Sequence, residues 1–512
     1  MFGSDGLGQS SILLMASFSF LLLLLWKYLK LLRLKRRMNL PGPWPPVPIF
    51  GQFLHMVYRR KDLHVWHQEM VQRYGKVFLM YWLGEAYVCV TDPDIVKAIT
   101  VKNFANFTDR GAFGFNLPEP YDASLNQATG NDWKRIRNTI NPAFSVTKIK
   151  QMVTFMDEAI DTLIEKIEKS TRSDQAVDMY RWFQGLTLEV VLTTSFGVKA
   201  ETQTNPDDPL TNHARQAISR LFSALAIAML PFGETILRKM NDPFHFEDLT
   251  NTARNIIEQR KRGKNIRHDL LHLMMCPRDK VTADFPLSND EVLVQSIAFI
   301  LAGYDTTSSA LGFLFYELAF HADIQAKIAR EVDELYEENE GTLPPYETIL
   351  YQTPYIDAVI DEILRLHTPP FFYDRRCTES CTINGVHFPK DTHVLVPIYA
   401  MHMDPEVWPN PGKFDPRRFT REEKAKRHAY SYMPFGHGPR CCIGKRFALL
   451  QIKLVLIKIL REYRVETTDE TMFPVRKDLS ILLNCPYDAV MLRFKNRRST
   501  EGAVRQRANG SF

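Results

Sequence analysis

The sequence predicts a mainly helical protein with a small β region, preceded by an apolar N-terminal helix. Helical apolar spacing occupies long stretches such as Gln151 to Phe196 and Ser288 to His321. Short β-branched and aromatic runs occur in only a few places, and an apolar run from Ser11 to Trp26 precedes all of them. The chain has 512 residues, 45% of them hydrophobic and 24% charged, which is enough for a large core.

Charge and cysteine content exclude two classes of protein. A net charge of +5 is too mild for a nucleic-acid-binding protein. Seven cysteines are an odd number without the spacing of a disulfide framework, so we expect reduced thiols in a cytosolic environment. Neither a nucleic-acid partner nor a disulfide-rich secreted domain is expected.

The N-terminal apolar run is long enough to cross a bilayer when it is extended to Leu32. Asp5 precedes it and several basic residues follow it, so the positive-inside rule places the remainder in the cytosol. A cleavable signal peptide is the competing interpretation, but a basic n-region and a small-x-small cleavage site are missing. We expect residues 1–38 to be an uncleaved anchor and residues 39–48 to be a stiff, proline-rich hinge.

Strand-like segments are few and short. Residues 76–91 predict a β-hairpin, after which Asp92-Pro93 opens a short helix. Short strands are expected between Pro369 and Ile398, and residues 478–495 are expected to form a terminal hairpin. The basic tail, residues 497–512, is predicted to be disordered.

Two further stretches have a distinctive composition. Leu221 to Leu237 is apolar but is interrupted by Pro231 and Gly233, which argues against a transmembrane helix. Residues 254–268 are strongly basic and predict a solvated helix end and loop.

A long helix should begin at the capping box Ser288-Asn-Asp-Glu291. Its apolar interior contains Asp305 and Thr306, polar groups that are costly to bury without partners. Threonines can bond back to the preceding turn and loosen a helix, which would open a groove beside Gly303. A polar contact between two helices is the alternative interpretation.

The stretch Phe435-Gly-His-Gly-Pro-Arg-Cys-Cys-Ile-Gly444 is a glycine-rich loop followed by helical spacing up to Arg464. Cys442 would lie at the helix N-terminus, where a thiolate is stabilised and can bind a soft metal centre. Arg440 supplies paired donors for a carboxylate. The loop therefore predicts a site for a planar, anionic, iron-bearing ligand. A zinc or disulfide role for Cys441 and Cys442 is the alternative, but adjacent cysteines rarely chelate one zinc and no Cys-x-x-Cys pair exists.

This loop resembles a family signature. Phe435, Gly438, Arg440, Cys442 and Gly444 match the heme-binding motif of the cytochrome P-450 heme-thiolate monooxygenases, in which the cysteine binds the iron. The phrasing around the motifs is most similar to family 3 of the animal microsomal members, the drug- and steroid-oxidising group. The resemblance implies one mostly helical catalytic domain with a small β region over residues 49–496, and a noncovalent heme b because Cys-x-x-Cys-His is absent.

The resemblance also implies residue roles at the heme. The expected cofactor contacts are Arg110, Trp133, Arg137, Ala302, Arg375, Phe435, Arg440 and Cys442. Trp133 and Arg137 are spaced i, i+4, so they share a helix face that could grip a heme propionate, although an exposed stacking contact is the commoner use of such a pair. Asp305 and Thr306 are the expected catalytic pair that delivers protons.

A substrate cavity is implied by the same resemblance. Its expected wall residues are Phe113, Phe115, Leu125, Phe299, Ala302, Pro370, Phe371, Phe372 and Leu482. The loop from Ala112 to Gly130 would line it and Leu221 to Leu237 would form its roof. The alternatives are loop aromatics that only pack on the core and a buried core helix at the second apolar stretch.

Glu362 and Arg365 are spaced i, i+3, which alone could be a surface ion pair. In the family this pair is buried against a later arginine, here Arg418. Arg417 departs from the pattern, because many relatives carry glutamate at that position.

The predicted function is that of a monooxygenase anchored in the endoplasmic reticulum membrane, with its catalytic domain in the cytosol and lipophilic substrates. Electrons would come from NADPH through a flavoprotein, NADPH-cytochrome reductase, with cytochrome b5 as a second candidate partner. Lys134, Lys445 and Arg446 are candidates for docking the acidic reductase, or are plain solvated charges. The alternatives are a heme-thiolate isomerase or dehydratase acting on peroxides, and a heme-binding protein without catalysis.

Overall fold

The computed structural model describes residues 5–44, 62–82, 85–111, 117–198, 200–205, 208–228, 233–240, 246–263, 269–275, 287–477 and 483–497. Three predicted cavity residues, Phe113, Phe115 and Leu482, lie outside the described residues, as do the last part of the predicted hinge and nearly all of the tail. The chain forms two compact units. The first unit contains Met1–Asn116, Leu225–Met240 and Phe372–Met401, and the second unit contains the remainder.

Helices account for most of the described chain. They are α1 Asp5–Met38, α2 Leu63–Tyr74, α3 Pro93–Lys97, α4 Gly130–Ile140, α5 Val146–Arg172, α6 Met179–Phe196, α7 Pro209–Ala228, α8 Gly233–Lys239, α9 Glu247–Lys261, α10 Leu270–Met275, α11 Asn289–Phe320, α12 Ala322–Glu338, α13 Tyr346–Tyr351, α14 Pro354–Leu366, α15 Ile398–His402, α16 Arg421–Lys426 and α17 Lys445–Glu462. The strands are β1 Val77–Trp82, β2 Glu85–Val90, β3 Val177–Asp178, β4 Tyr373–Arg376, β5 Cys381–Ile383, β6 Val386–Phe388, β7 His393–Val396, β8 Tyr463–Thr467 and β9 Met491–Asn496. The prediction of a mostly helical protein with a small β part is confirmed.

The first unit is built on a four-stranded sheet of order β1-β2-β7-β4. The predicted hairpin at residues 76–91 is confirmed, because β1 and β2 pair in antiparallel register from Val77 opposite Val90 to Trp82 opposite Glu85. β7 joins β2 in parallel and β4 in antiparallel orientation. Asp92 caps α3 by accepting two backbone N–H bonds, as its position before proline predicts.

The second unit is organised around α11. The predicted capping box is present, since the Ser288 hydroxyl accepts the Glu291 N–H and the Glu291 carboxylate accepts the Ser288 N–H. Apolar faces of α5, α6, α12, α14 and α17 join α11 in one hydrophobic core that also includes β8 and β9. Such a helix, apolar on nearly all sides, is stabilised by burial rather than by an amphipathic face.

Among the described residues, α11 is also the helix that is long and apolar enough to cross a membrane, by length and composition alone. Of its most apolar window, 67% is buried inside the protein, as expected of a core helix.

Two secondary-structure predictions are wrong in detail. The helical stretch from Gln151 to Phe196 is two helices, because Asp174 has a positive φ of 51° and β3 follows before α6 begins. The terminal hairpin is also different, since β9 pairs with β8 in register from Tyr463 opposite Asn496. Among the described residues of this stretch, Lys477 and Pro486 form a single antiparallel bridge. The apolar spacing after Gly444 did not predict β8 separately from the helix, because β8 begins at the residue that follows α17.

The basic stretch 254–268 is not uniformly solvated where it is described. Arg260 is buried and donates to both carboxylate oxygens of Asp269, at 3.0 and 2.7 Å, and to the Phe196 carbonyl. A guanidinium is buried with all of these partners because an unpaired charge there would be costly.

Candidate active site

The cysteine loop, residues 435–444, ends immediately before α17. Gly436 and Gly438 have φ values of +67° and +74°, a region that favours glycine. The Cys442 N–H donates to the Phe435 carbonyl at 2.9 Å, which closes the loop. Cys442 is exposed and Cys441 is half-buried. The loop therefore presents the Cys442 side chain at the N-terminal end of a helix, where the helix dipole stabilises a thiolate.

Side-chain hydrogen bonds connect this loop to distant segments of the chain. Arg440 is buried and donates to the carbonyls of Leu125 and Ala128 at 3.2 and 2.6 Å, and its guanidinium stacks over the Trp133 ring at 4.3 Å. Arg137 donates to the Cys441 carbonyl at 3.0 Å. The predicted group of Trp133, Arg137 and Arg440 thus meets at the cysteine loop, where Arg440 also contacts backbone carbonyls.

A second support begins at the buried pair Glu362 and Arg365. Two guanidinium nitrogens of Arg365 donate to the two carboxylate oxygens of Glu362 at 2.7 and 2.8 Å, and both side chains are fully buried. Arg365 also donates to the His402 carbonyl at 2.8 Å, and the His402 imidazole accepts the Met433 N–H at 3.0 Å. A continuous path of hydrogen bonds therefore leads from α14 to the start of the cysteine loop.

Arg418 completes the cluster, with its Nε 3.4 Å from Glu362 Oε1. Burial raises the pKa of Glu362, and the two arginines oppose that effect. The departure at Arg417 is explained locally, because this exposed guanidinium pairs with Asp415 at 2.7 Å. The bond to Arg417 in turn lowers the pKa of Asp415.

Helix α11 presents two faces around residues 302–306. Ala302 is exposed and Thr306 is partly exposed on the same face, and the Thr306 hydroxyl donates to the Ala302 carbonyl at 2.7 Å. Gly303 packs against α6, since a Cβ there would lie 2.4 Å from Val191 Cγ2. The glycine serves close helix packing, and the groove that we expected beside it is filled by Val191.

The Asp305 carboxylate lies on a different face from the Thr306 hydroxyl. It is buried, and it accepts hydrogen bonds from Tyr180 at 2.8 Å, Gln184 at 3.4 Å and the Cys485 thiol at 3.4 Å. Burial raises the pKa of the Tyr180 phenol and of the Cys485 thiol, so both remain protonated donors. The structure thus brings Ala302 and Thr306 together and separates the carboxylate of Asp305 from them.

Sequence reasoning missed Gln295, Phe144 and His402. Gln295 is fully buried, donates to the Ala123 carbonyl at 2.7 Å and accepts the Leu125 N–H at 2.7 Å. The Phe144 ring lies 5.7 Å from the Phe299 ring and would be 3.9 Å from a Cβ on Gly444. Gln295 could have been predicted, because it is an amide within an apolar helix. Nothing in the local sequence indicates a role for Phe144 or His402.

The remaining predicted residues are dispersed. In the first unit, Arg375 is buried beneath the Tyr373 ring, while Arg110 is half-buried and its Nε has no hydrogen-bond partner among the described residues. Phe372, also in the first unit, is buried beside His67. In the second unit, Phe371 is buried and Pro370 is half-buried.

Comparisons with known proteins agree with this geometry. The family model for Cytochrome P450 matches residues 41–491. The chain belongs to the cytochrome P450 family. It is 36% identical over 459 residues to cytochrome P450 3A56 of Fundulus heteroclitus, covering 88% of this chain and 91% of that protein. It is 33% identical over 479 residues to cytochrome P450 3A29 of Sus scrofa, covering 91% and 93%, and 34% identical over 455 residues to cytochrome P450 3A7 of Homo sapiens, covering 86% and 88%.

Membership of the cytochrome P450 family implies heme and supports a heme-thiolate monooxygenase. The residues present fit such a group. The cysteine loop exposes one thiol at a helix N-terminus, a setting that favours the thiolate form required of an iron ligand. Ala302 leaves a small exposed surface on an otherwise buried core helix, which a flat ring could approach closely.

Proposed function

We propose that this protein is a membrane-bound monooxygenase that inserts one atom of O2 into lipophilic substrates, using electrons from NADPH delivered by a flavoprotein reductase. The observation that carries the proposal is the exposed Cys442 side chain, held at the start of α17 within a glycine-dependent loop. The family and its relatives support the reaction class.

Cys442 would hold the heme iron through its thiolate. When bound, heme supplies O2 binding and activation, and a thiolate ligand favours cleavage of the O–O bond. The chain's part is to keep the cysteine deprotonated and oriented, through the α17 dipole and the backbone bond to Phe435. Trp133, Arg137 and Arg440 lie beside the loop as the proposed propionate partners, and Arg110 and Arg375 of the first unit have the same proposed role.

Proton delivery is proposed for Thr306 and Asp305. The Thr306 hydroxyl lies on the exposed face next to Ala302 and could exchange its bond to the Ala302 carbonyl for one to a substrate or water molecule. Asp305 would have to leave its bonds to Tyr180 and Cys485 to reach that face.

The anchor is proposed from α1. This helix spans 34 residues. Between residues 14 and 29 it exposes many large apolar side chains: Leu14, Met15, Phe18, Phe20, Leu21, Leu22, Leu23, Leu25, Trp26 and Leu29. A contiguous apolar surface of this kind fits a bilayer. We place the protein at the endoplasmic reticulum membrane, from which lipophilic substrates would enter.

Reductase docking is proposed on the side of the cysteine loop. Lys134, Lys445 and Arg446 are all exposed, as docking of an acidic flavoprotein requires. NADPH-cytochrome reductase is the proposed partner, with cytochrome b5 as a second candidate. The proposed substrates remain a class, lipophilic compounds such as xenobiotics or steroids.

The test of the iron ligand compares two adjacent cysteines. We expect Cys442→Ser, prepared with heme, to lose the thiolate-type Soret band of its ferrous carbon monoxide complex. Cys441→Ser is the matched control and should keep the band. An unchanged spectrum in Cys442→Ser would overturn the ligand assignment, and a protein that binds no heme would overturn the whole proposal.

The test of proton delivery uses Thr306→Ala with reductase and NADPH. Loss of the hydroxyl should lower the product formed per NADPH consumed by about 10-fold, because a positioned proton donor typically contributes this much or more. Thr306→Ser, which keeps a hydroxyl, should restore most of the coupling. Full coupling in Thr306→Ala would count against the proton role, and turnover of peroxides without NADPH would favour an isomerase.

A further inference from the structure

The described part of the predicted hinge, residues 39–44, is not a free spacer. The Leu79 N–H in β1 donates to the Pro41 carbonyl at 2.8 Å. Gly42 has a φ of +144°, and a Cβ there would lie only 2.2 Å from the Leu79 carbonyl oxygen. Only glycine allows this approach, so the hinge backbone is fitted closely to β1.

The last turn of α1 clamps the same residues. The Lys35 ammonium donates to the carbonyls of Gly42 at 2.8 Å and Pro43 at 3.1 Å, and it lies 5.6 Å from the centre of the Trp44 ring. Asn39, with a φ of 49°, ends the helix by donating its N–H to the Lys35 carbonyl. The chain therefore turns back on the helix instead of extending away from it.

The C-terminal part of α1 is also docked through its side chains. Leu31 is only 5% exposed and packs with Tyr81 and Ala86 of the β1–β2 hairpin, with Leu34 beside it. This contrasts with the exposed apolar residues from Leu14 to Leu29, which span about 24 Å of helix at 1.5 Å per residue. The part of α1 around Leu31 and Leu34 is therefore covered by protein. The part from Leu14 to Leu29 presents an apolar surface close in length to the hydrocarbon core of a bilayer.

We propose that the end of α1, residues 39–44 and the β1–β2 hairpin form one rigid joint, so that a phospholipid bilayer holding α1 also fixes the height and tilt of the first unit at the membrane surface. This rests on the proposed membrane anchor and deepens it. A bilayer is the occupant that the observations favour, because the exposed apolar surface is followed by Lys27, Lys30 and Arg33, which suit anionic headgroups.

The test uses the full chain with heme in lipid nanodiscs of phosphatidylcholine and phosphatidylserine. Gly42→Ala should separate the hinge from β1, whereas Gly412→Ala, where a Cβ meets nothing within 4 Å, is the matched control. We expect hydrogen exchange at the Leu79 amide to be about 10-fold faster or more in Gly42→Ala only, since its partner would move away. A fluorophore is placed on a non-natural amino acid at the exposed position of Lys390, and an acceptor is placed on a lipid. In Gly42→Ala the mean efficiency of energy transfer should fall and its distribution should broaden.

Lys35→Met provides a second variant, because it keeps the helix and removes only the ammonium clamp. It should change both readouts in the same direction as Gly42→Ala. If both variants match Gly412→Ala in exchange and in energy transfer, the rigid joint is refuted. If the unaltered protein does not associate with nanodiscs at all, the anchor itself fails, and that outcome is distinct because exchange at Leu79 can still be measured in solution.

Discussion

The cysteine loop and helix α11 position their candidate groups in opposite ways. The loop is tied to distant segments by its own Arg440, which donates to the Leu125 carbonyl, and by Arg137 and His402 from outside the loop. Helix α11 is capped at its start and buried along most of its length, so it is held by its own backbone bonds and by core packing. The loop is therefore sensitive to distant substitutions of single polar groups, whereas the helix is sensitive to changes of volume at its packed faces.

The largest effect should come from the support beneath the loop. Arg365→Leu leaves the Glu362 carboxylate fully buried, with the Arg418 guanidinium at 3.4 Å and the Asp415 N–H at 2.9 Å as partners, and removes the bond to the His402 carbonyl. We expect the free energy of unfolding to fall by about 3–5 kcal/mol, as when one partner of a buried ion pair is removed. Chemical denaturation followed by fluorescence would measure it.

Arg417→Gln is the matched control for that experiment. Arg417 is exposed and pairs with Asp415 in the same short segment as Arg418. Its replacement should change the unfolding free energy by less than about 1 kcal/mol. If Arg365→Leu were as mild as Arg417→Gln, the path from α14 to the cysteine loop would not be a structural support.

The next largest effect should come from increasing the side-chain volume at a packed position of α11. Gly303→Ala places a Cβ 2.4 Å from Val191 Cγ2, and Val191 is itself a buried residue of α6. We expect a loss of about 1–3 kcal/mol of unfolding free energy from overpacking, together with a change in exposure of the Ala302 face. Thermal unfolding of the heme-free and heme-loaded protein would measure it.

The double variant Gly303→Ala with Val191→Ala tests the cause directly. Truncating Val191 removes the clashing methyl group. The double variant should therefore be more stable than Gly303→Ala alone, with a coupling energy of about 0.5 kcal/mol or more, the lower limit for residues in contact. Additive effects would show that Gly303 is required by the backbone instead, and that the comparison between loop and helix is drawn in the wrong place.

The difference between the cysteine loop and α11 also explains which features could be predicted from the sequence. The capping box, the strand runs at residues 76–91 and the Asp92-Pro93 pair that starts α3 are local signals, and each produced the predicted element. Cys442 was found through a motif. The groups that hold the loop are distant in the sequence: Arg440 and the Leu125 carbonyl that it contacts are 315 residues apart. No local sequence pattern predicts such a contact.

The direction of Asp305 shows another limit. Its position in an apolar helix predicted a buried polar group, but the hydrogen bonds from Tyr180 and Cys485 come from segments far apart in the chain. Similarly, Gly303 was read as a groove because the sequence could not place Val191 against it. Periodicity predicts which residues face inward, whereas the identity of the facing residue depends on how helices pack.

The smallest effect should be a pH dependence of the loop. Complete burial, together with the nearby charge of Arg365, lowers the pKa of His402 to about 3, compared with 6.5 in an unfolded chain. The neutral imidazole accepts the Met433 N–H. The unfolded chain therefore binds a proton that the folded protein excludes, so this contribution to stability is complete above pH 6.5 and is lost as the pH falls toward 3. Between pH 7 and 5.5 we expect the free energy of unfolding to fall by about 1 kcal/mol because of this group.

The variant His402→Gln tests this pH dependence, because its amide oxygen can accept the same N–H. It should show a shallower decline in thermal stability over that interval, whereas His387→Gln at an exposed position should follow the unaltered protein. Parallel declines in all three proteins would show that the loop does not depend on a neutral His402.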